Sequence, residues 1–287
     1  MNQSEDLQKF FEFCRMIGSM TDHVQGGGGN CSYKDNEKMY IKASGTMMSL
    51  VDHNNMAIVN FKKVLKALAR HSNPDNFDKE VSSLKQNENK PSIETGFHAL
   101  LDKYVIHSHS VYVNTVACSK DFQGIINNLS IPIIWVEYSA PGIDLCKSIS
   151  KSLSDIRKSL IIKPKIIFLQ NHGLIVSSNS IDELIYSYSL VHEEIKRLVH
   201  FPNFSSILPP KEINPLTDKS KTLFPDQIVY KSIDNFESPA FIDTAKAYIY
   251  LNQTMGMNGL DPNFLSCDDV SRVDQLESEK YRKNLIK

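Results

Sequence analysis

The chain has no apolar run approaching the roughly 20 residues a membrane span needs, and its first residues, MNQSEDLQKF, lack the basic-then-apolar pattern of an export signal. It has no basic excess either. Lys and Arg number 32 against 33 Asp and Glu, for a net charge of -1, which argues against general binding to nucleic acid or to a membrane surface. Cysteine is sparse, and its five copies (Cys14, Cys31, Cys118, Cys146 and Cys267) include no C-x-x-C pair. Their odd number favours free thiols in a reducing cytoplasm over a disulfide scaffold. Glycine is scarce as well, with 12 in 287 residues, yet four stand in a row at 26–29. What remains, 41% apolar and 23% charged residues, is ordinary for a soluble globular protein of one large α/β domain, with or without an extension.

Apolar periodicity predicts helices over 5–21, 61–69, 94–101, 111–118, 143–160 and 181–201. Short β-branched and aromatic runs predict strands at 39–44, 57–60, 104–107, 131–136, 165–169 and 173–176. The polar stretch 72–91 reads as an exposed loop or a loosely held insertion. Strands and helices mingle without strict βαβ alternation, so the expected fold is α/β with a mixed sheet flanked by helices, not a doubly wound parallel sheet. From about 202 the character changes. FPNFSSILPPKEINP reads as a linker, and 222–287 as short apolar segments plus a polar final helix, packed on the main domain or on a neighbouring subunit. The division expected is 1–204 for the main domain and 205–287 for the extension.

Among the nine histidines, His107 and His109 close the strand YVIHSH. Residues i and i+2 of a strand share a face, so both imidazoles can converge. His172 stands at the turn QNHG between two apolar strands. Imidazoles at strand ends with an open position suit a catalytic zinc. His98 reads as a hydrogen-bonded core histidine, and His53, His71, His192 and His200 as exposed or structural. Glu94, after Pro91-Ser92-Ile93, reads locally as a first-turn carboxylate favoured by the helix dipole, with Ser92 near the cap. A carboxylate working as acid or base beside a metal is the alternative. The glycines could close successive backbone N–H groups around an anion, with Asn30 adding a donor; GGGGNC is neither a P-loop nor G-x-G-x-x-G.

QGGGGNCSYK at 25–34, KASG at 42–45, PSIETGFHALL at 91–101, YVIHSHSVYVN at 104–114 and QNHGLIVSS at 170–178 together resemble the class II aldolase/adducin family in order and spacing. YSAPGIDL at 138–145, LFPDQIVY at 223–230 and the closing ESEKYRKNL are similar to the aldolase part of bifunctional rhamnulose-phosphate aldolase/dehydrogenases. The resemblance implies a three-layer α/β/α fold with a mixed sheet, a cytoplasmic C4 homotetramer and one zinc per chain, in a kind of site that also accepts other divalent metals. It gives His107, His109 and His172 as ligands. It makes Glu94 the catalytic acid/base, able to approach the metal when substrate is absent. Gly28, Gly29, Asn30, Ser44, Gly45 and Ser92 fall to the substrate phosphate.

The implied reaction is reversible C–C cleavage of a keto-sugar phosphate through a metal-stabilised enediolate. Epimerase or dehydratase chemistry and a non-catalytic adducin-like binding role are the alternatives, as is a separate dehydrogenase partner. Ile93 stands where the family's aldolases often carry a second hydroxyl, which bears on phosphate binding. The fuculose-phosphate enzymes carry a tyrosine acid where Val136 stands; Tyr138, two residues on, is the candidate proton donor here.

Overall fold

The computed structural model describes residues 3–159, 165–210, 215–230 and 237–276; the closing ESEKYRKNL lies outside them. Helix α1 (Gln3–Gly18) leads through the glycine loop to strands β1 (Asn30–Asp35), β2 (Lys38–Lys42) and β3 (Met56–Asn60), then helices α2 (Phe61–Arg70), α3 (Pro74–Ser83) and α4 (Thr95–Leu100). Strand β4 (Tyr104–Ser108) precedes α5 (Val111–Ala117), α6 (Phe122–Ile126), β5 (Ile133–Val136) and α7 (Ile143–Ser159). Strands β6 (Ile166–Leu169) and β7 (Gly173–Ser178) and helix α8 (Ile181–Leu198) complete the main domain. Beyond it come α9 (Pro225–Tyr230), α10 (Pro239–Met257) and α11 (Cys267–Gln275). No helix among the described residues is long and apolar enough to cross a membrane.

One seven-stranded sheet runs in the order β3-β2-β1-β4-β7-β6-β5. Only β5 and β6 pair in parallel, so the mixed sheet expected from the sequence is present. Period-2 alternation splits its side chains between two cores. Tyr104 and Ile106 of β4 pack with Phe10, Phe13 and Tyr188 on the α1/α8 side. Val105 packs with Phe77, Phe97 and Ile149 on the α2/α3/α4/α7 side.

Strand β1 is absent from the sequence-based expectation because NCSYKD is polar, yet it is almost wholly buried. Its polar side chains are satisfied inside the protein. Ser32 Oγ bonds His98 Nδ1 at 2.7 Å. Lys34 Nζ donates to the carbonyls of His98, Leu101 and Asp102 at 2.6, 3.0 and 2.8 Å, closing the C-terminus of α4 with a cation. Strand β1 and helix α4 are thereby locked together, and His98 is the core histidine its spacing suggested.

The stretch 72–91 is not a loop throughout. Asn73 accepts from the Asn76 N–H at 3.1 Å, Pro74 opens helix α3, and Phe77 and Val81 share its buried face. The supposed linker is also packed in part. Phe204 and Ile207 join Val111 and Cys118 with Leu223, Tyr250, Leu251 and Met255, so α10 lies against α5. Helix α10 escaped prediction because it is buried on more than one face and shows no single apolar stripe.

Beneath the end of β4 lies a buried polar network. Tyr188 Oη donates to Ser108 Oγ at 2.9 Å and meets His23 Nδ1 at 2.8 Å. His192 Nε2 meets Ser110 Oγ at 2.8 Å. Burial, then the Lys196 cation, pushes His23 down to about 4; burial, then His23, pushes His192 down to about 3.

Two predictions follow from this packing. Phe77→Ala removes a ring that is 1% exposed and should cost about 3–5 kcal/mol in denaturant unfolding; a cost under about 1 kcal/mol would return 72–91 to a loosely held insertion. His23 and His192 stay neutral when folded, whereas the unfolded chain takes up their protons as pH falls through the ordinary 6.5. Their stabilisation is therefore full above about pH 6.5 and shrinks towards pH 4 and below, by about 2 kcal/mol each at pH 5. Unfolding free energies at about pH 7.5 and 5 should differ less in His23→Gln/His192→Gln than in wild type, and an equal difference would refute the assignment.

Candidate metal centre and its cavity

Strand β4 delivers His107 to the α4 side of the sheet, edge-on to the Phe97 ring at 5.7 Å. The carbonyl of Leu174, on neighbouring β7, lies 2.9 Å from His107 Nδ1. His109, just past the strand end, has Nδ1 2.6 Å from Asp226 Oδ2. A carbonyl and a carboxylate can only accept, so in both neutral imidazoles the proton sits on Nδ1 and Nε2 carries the lone pair. Those two Nε2 atoms lie 3.1 Å apart. Facing lone pairs at that distance repel unless a proton or a metal ion lies between them.

The third imidazole comes from the β6–β7 turn, where the residues on either side of His172 each have a local reason. Asn171 takes φ 53, a left-handed conformation that asparagine tolerates. Its side chain donates to the carbonyls of Leu223 and Asn263 at 2.8 and 2.6 Å, pinning the turn to the extension. A Cβ on Gly173 would sit 2.3 Å from the carbonyl oxygen of Ser108, so glycine alone lets β7 approach β4 there. His172 between them has Nε2 3.6 Å from Glu94 Oε1, and its buried Nδ1 has no hydrogen-bond partner.

Glu94 departs from its local reading. It occupies the cap position of α4, but its side chain makes no cap bond. Oε1 lies 3.2 Å from His107 Nε2, and Oε2 accepts from Asn30 Nδ2 at 3.2 Å. Burial alone raises a carboxyl; here the charge and hydrogen bond of His107, with His172 and His109, outweigh it and hold Glu94 well below the usual carboxylate range. The same pairing raises His107 against its burial. Burial, reinforced by His107 and His109, keeps His172 well below its ordinary value and neutral.

Donor atoms of Glu94, His107, His109 and His172 all lie within 4.8 Å of one another. Three neutral-capable imidazoles and a carboxylate, with two Nε2 atoms already facing each other, fit a divalent cation.

The residues assigned to substrate come together on one cavity. Gly28, Gly29, Asn30, Ser44, Gly45 and Ser92 line it alongside Glu94, His109 and His172. The glycine loop, however, spends its amides within the protein. The Gly26 N–H donates to Asp243 Oδ2 at 3.4 Å, Gly27 to Tyr230 Oη at 3.1 Å, and Gly28 to the Gln25 carbonyl at 2.9 Å. Asn30 is engaged with Glu94, and Ser92 Oγ accepts the Glu94 N–H at 3.2 Å. Tyr138 does not line the cavity. It packs against Ile228, Leu265, Val270 and Val273, with its hydroxyl buried and unpartnered.

Three lining residues escaped the sequence reading: Lys42, Lys90 and Asp226. Lys42 sat unremarked inside a motif already singled out, KASG, and Lys90 just ahead of another, PSIET. Asp226 carried no local signal of its relation to a histidine 117 positions away.

Residues 8–198 match the class II aldolase and adducin N-terminal domain family, and the chain belongs to it. An L-fuculose phosphate aldolase of Methanococcus maripaludis is 25% identical over 210 residues, 69% of this chain and 98% of that protein. An uncharacterized oxidoreductase, YuxG, of Bacillus subtilis is 25% identical over 225 residues, 72% of this chain but only 32% of that longer protein. The N-terminal class II aldolase domain of a conserved protein from Thermoplasma acidophilum superposes with a TM-score of 0.59 at 22% identity, covering 69% of this chain and 95% of that one, and so shares the fold.

The donor set predicts about one divalent metal per chain by elemental analysis after zinc is supplied and excess removed. His107→Ala/His109→Ala should retain none. A wild type that comes through the same treatment empty would sink the metal reading.

Proposed function

We propose that this protein is a zinc-dependent aldolase-type lyase that reversibly cleaves a C–C bond of a keto-sugar phosphate. The observation that carries the proposal is the convergence of three imidazoles and Glu94 beside a cavity that His109, His172 and Glu94 line together with Lys42, Lys90, Ser44 and Ser92. The likeness to an L-fuculose phosphate aldolase supports the substrate class, not the particular sugar. A divalent metal bound by His107, His109 and His172 would act there as a Lewis acid, polarising a carbonyl and stabilising negative charge on its oxygen.

The chain's own residues do the rest. Glu94, a buried carboxylate beside the three imidazoles, is placed to move a proton to and from the carbon next to that carbonyl. Asn30 steadies its second oxygen. Where the substrate's phosphate is concerned, Ile93 lines the cavity without a hydroxyl. The positive charge of Lys42 and Lys90 offsets that loss, and Ser44 and Ser92 supply neutral donors beside them. The glycine loop is a poor anion cradle in this protein, because Asp243 and Tyr230 already hold two of its amides.

The metal-loaded protein, offered a panel of ketose phosphates, should release an aldehyde from at least one of them. Glu94→Gln should lower kcat by about 100-fold or more while the three imidazoles keep the metal content unchanged. Solvent deuterium incorporated next to the carbonyl without any cleavage would replace the lyase reading with epimerase or dehydratase chemistry. Unchanged turnover in Glu94→Gln would remove that residue from the proton transfer.

A further inference from the structure

The cluster takes one essential contact from outside the part of the chain that its family matches. Asp226 lies in α9, beyond residues 8–198. It is 1% exposed, and its Oδ2 stands 2.6 Å from His109 Nδ1. The opposite side of this pair is closed by Gly28, where a Cβ would lie 2.7 Å from the carboxylate oxygen and 2.8 Å from the imidazole nitrogen. The bare backbone of the glycine run is what leaves room for the pair. The short helix is held on all sides: the Leu223 N–H donates to Gln227 Oε1 at 2.9 Å, Tyr230 receives the Gly27 N–H at 3.1 Å, and Val229 and Tyr230 pack with Phe241.

We propose that Asp226 is a positioning residue for His109, so that the extension is part of the metal centre and not an appendage to it. The carboxylate accepts the Nδ1 proton, fixes the tautomer that leaves Nε2 free, and turns the ring so that Nε2 meets those of His107 and His172. A carboxylate in this place also strengthens the imidazole as a ligand. The three histidines are braced unequally. His107 uses the backbone carbonyl of Leu174, which no side-chain substitution removes. The Nδ1 of His172 has no partner. His109 alone depends on a side chain, and that side chain arrives from the extension. This inference rests on the metal reading above.

The test is metal affinity of the full chain, by competition with a chromophoric zinc chelator, for wild type, Asp226→Asn, Asp226→Ala and Val229→Ala. Long-range 1H–15N spectra of the metal-free proteins report which nitrogen of His109 carries the proton. Asp226→Ala should bind zinc about 10- to 100-fold more weakly, and the near-isosteric Asp226→Asn, which keeps the shape and loses the charge, should fall between it and wild type. In both, His109 should lose its exclusive Nδ1–H form. Val229→Ala loosens the packing of the same helix without touching His109, and should lower Tm while holding affinity within about twofold of wild type. Asp226 variants that bind as tightly as wild type would overturn the inference and leave the metal reading standing, as would a Val229→Ala that loses as much affinity as Asp226→Ala. Should Asp226→Ala fail to fold, Asp226→Asn carries the test alone. A wild type that binds no zinc overturns both readings together.

Discussion

The site is governed by one local conflict: two imidazole nitrogens, each of which carries a lone pair in the neutral tautomer, face each other 3.1 Å apart. Neither can turn away. His107 is fixed by a carbonyl on the next strand, and His109 by a buried carboxylate. A conflict of this kind persists in a folded protein only when its surroundings over-determine it and something positive resolves it. Glu94 and His172 complete the ring of donors around the same point. The local architecture serves that convergence. Lys34 clamps α4 to β1 and so places Glu94, and the network of Tyr188, His23 and His192 holds the serines that alternate with His107 and His109.

The boundary drawn by sequence similarity is therefore not the boundary of the site. The family match ends at 198, yet Asn171 of the histidine turn is tied to Leu223 and Asn263, the glycine loop to Tyr230 and Asp243, and His109 to Asp226. Three separate parts of the metal site lean on α9, α10 and the segment after them. An extension added only at the surface would leave the buried polar groups of the parent domain satisfied by that domain. Here the extension satisfies them, which makes it a structural half of the centre.

Features that depend on short-range chemistry were legible in the sequence. The H-x-H at a strand end, the turn histidine and most strands and helices follow from alternation, periodicity and turn residues over a few positions. What depended on distant partners was not. Strand β1 looked too polar to be buried, because the partners that satisfy Ser32 and Lys34 lie about 66 positions on. Glu94 looked like a first-turn carboxylate favoured by the helix dipole, since the histidines that claim it are remote. Helix α3 is a different failure. Its asparagine cap and Pro74 were readable, but two apolar residues among many polar ones gave too weak a stripe. Asp226 could be quoted within a motif without its role being visible.

The glycine run shows why a motif and its physical reason can part company. Four consecutive glycines suggested open amides waiting for a phosphate. In the folded chain two of those amides are already held by the extension, and the missing Cβ of Gly28 serves instead to admit the Asp226–His109 pair. The cationic side chains that line the cavity are instead Lys42 and Lys90, together with Ser44 and Ser92. Under the proposed reading, the substrate's anion pairs with those lysines and its carbonyl with the metal that the histidines would hold. The same charge pattern disfavours the reversed pose, which would set phosphate against carboxylate.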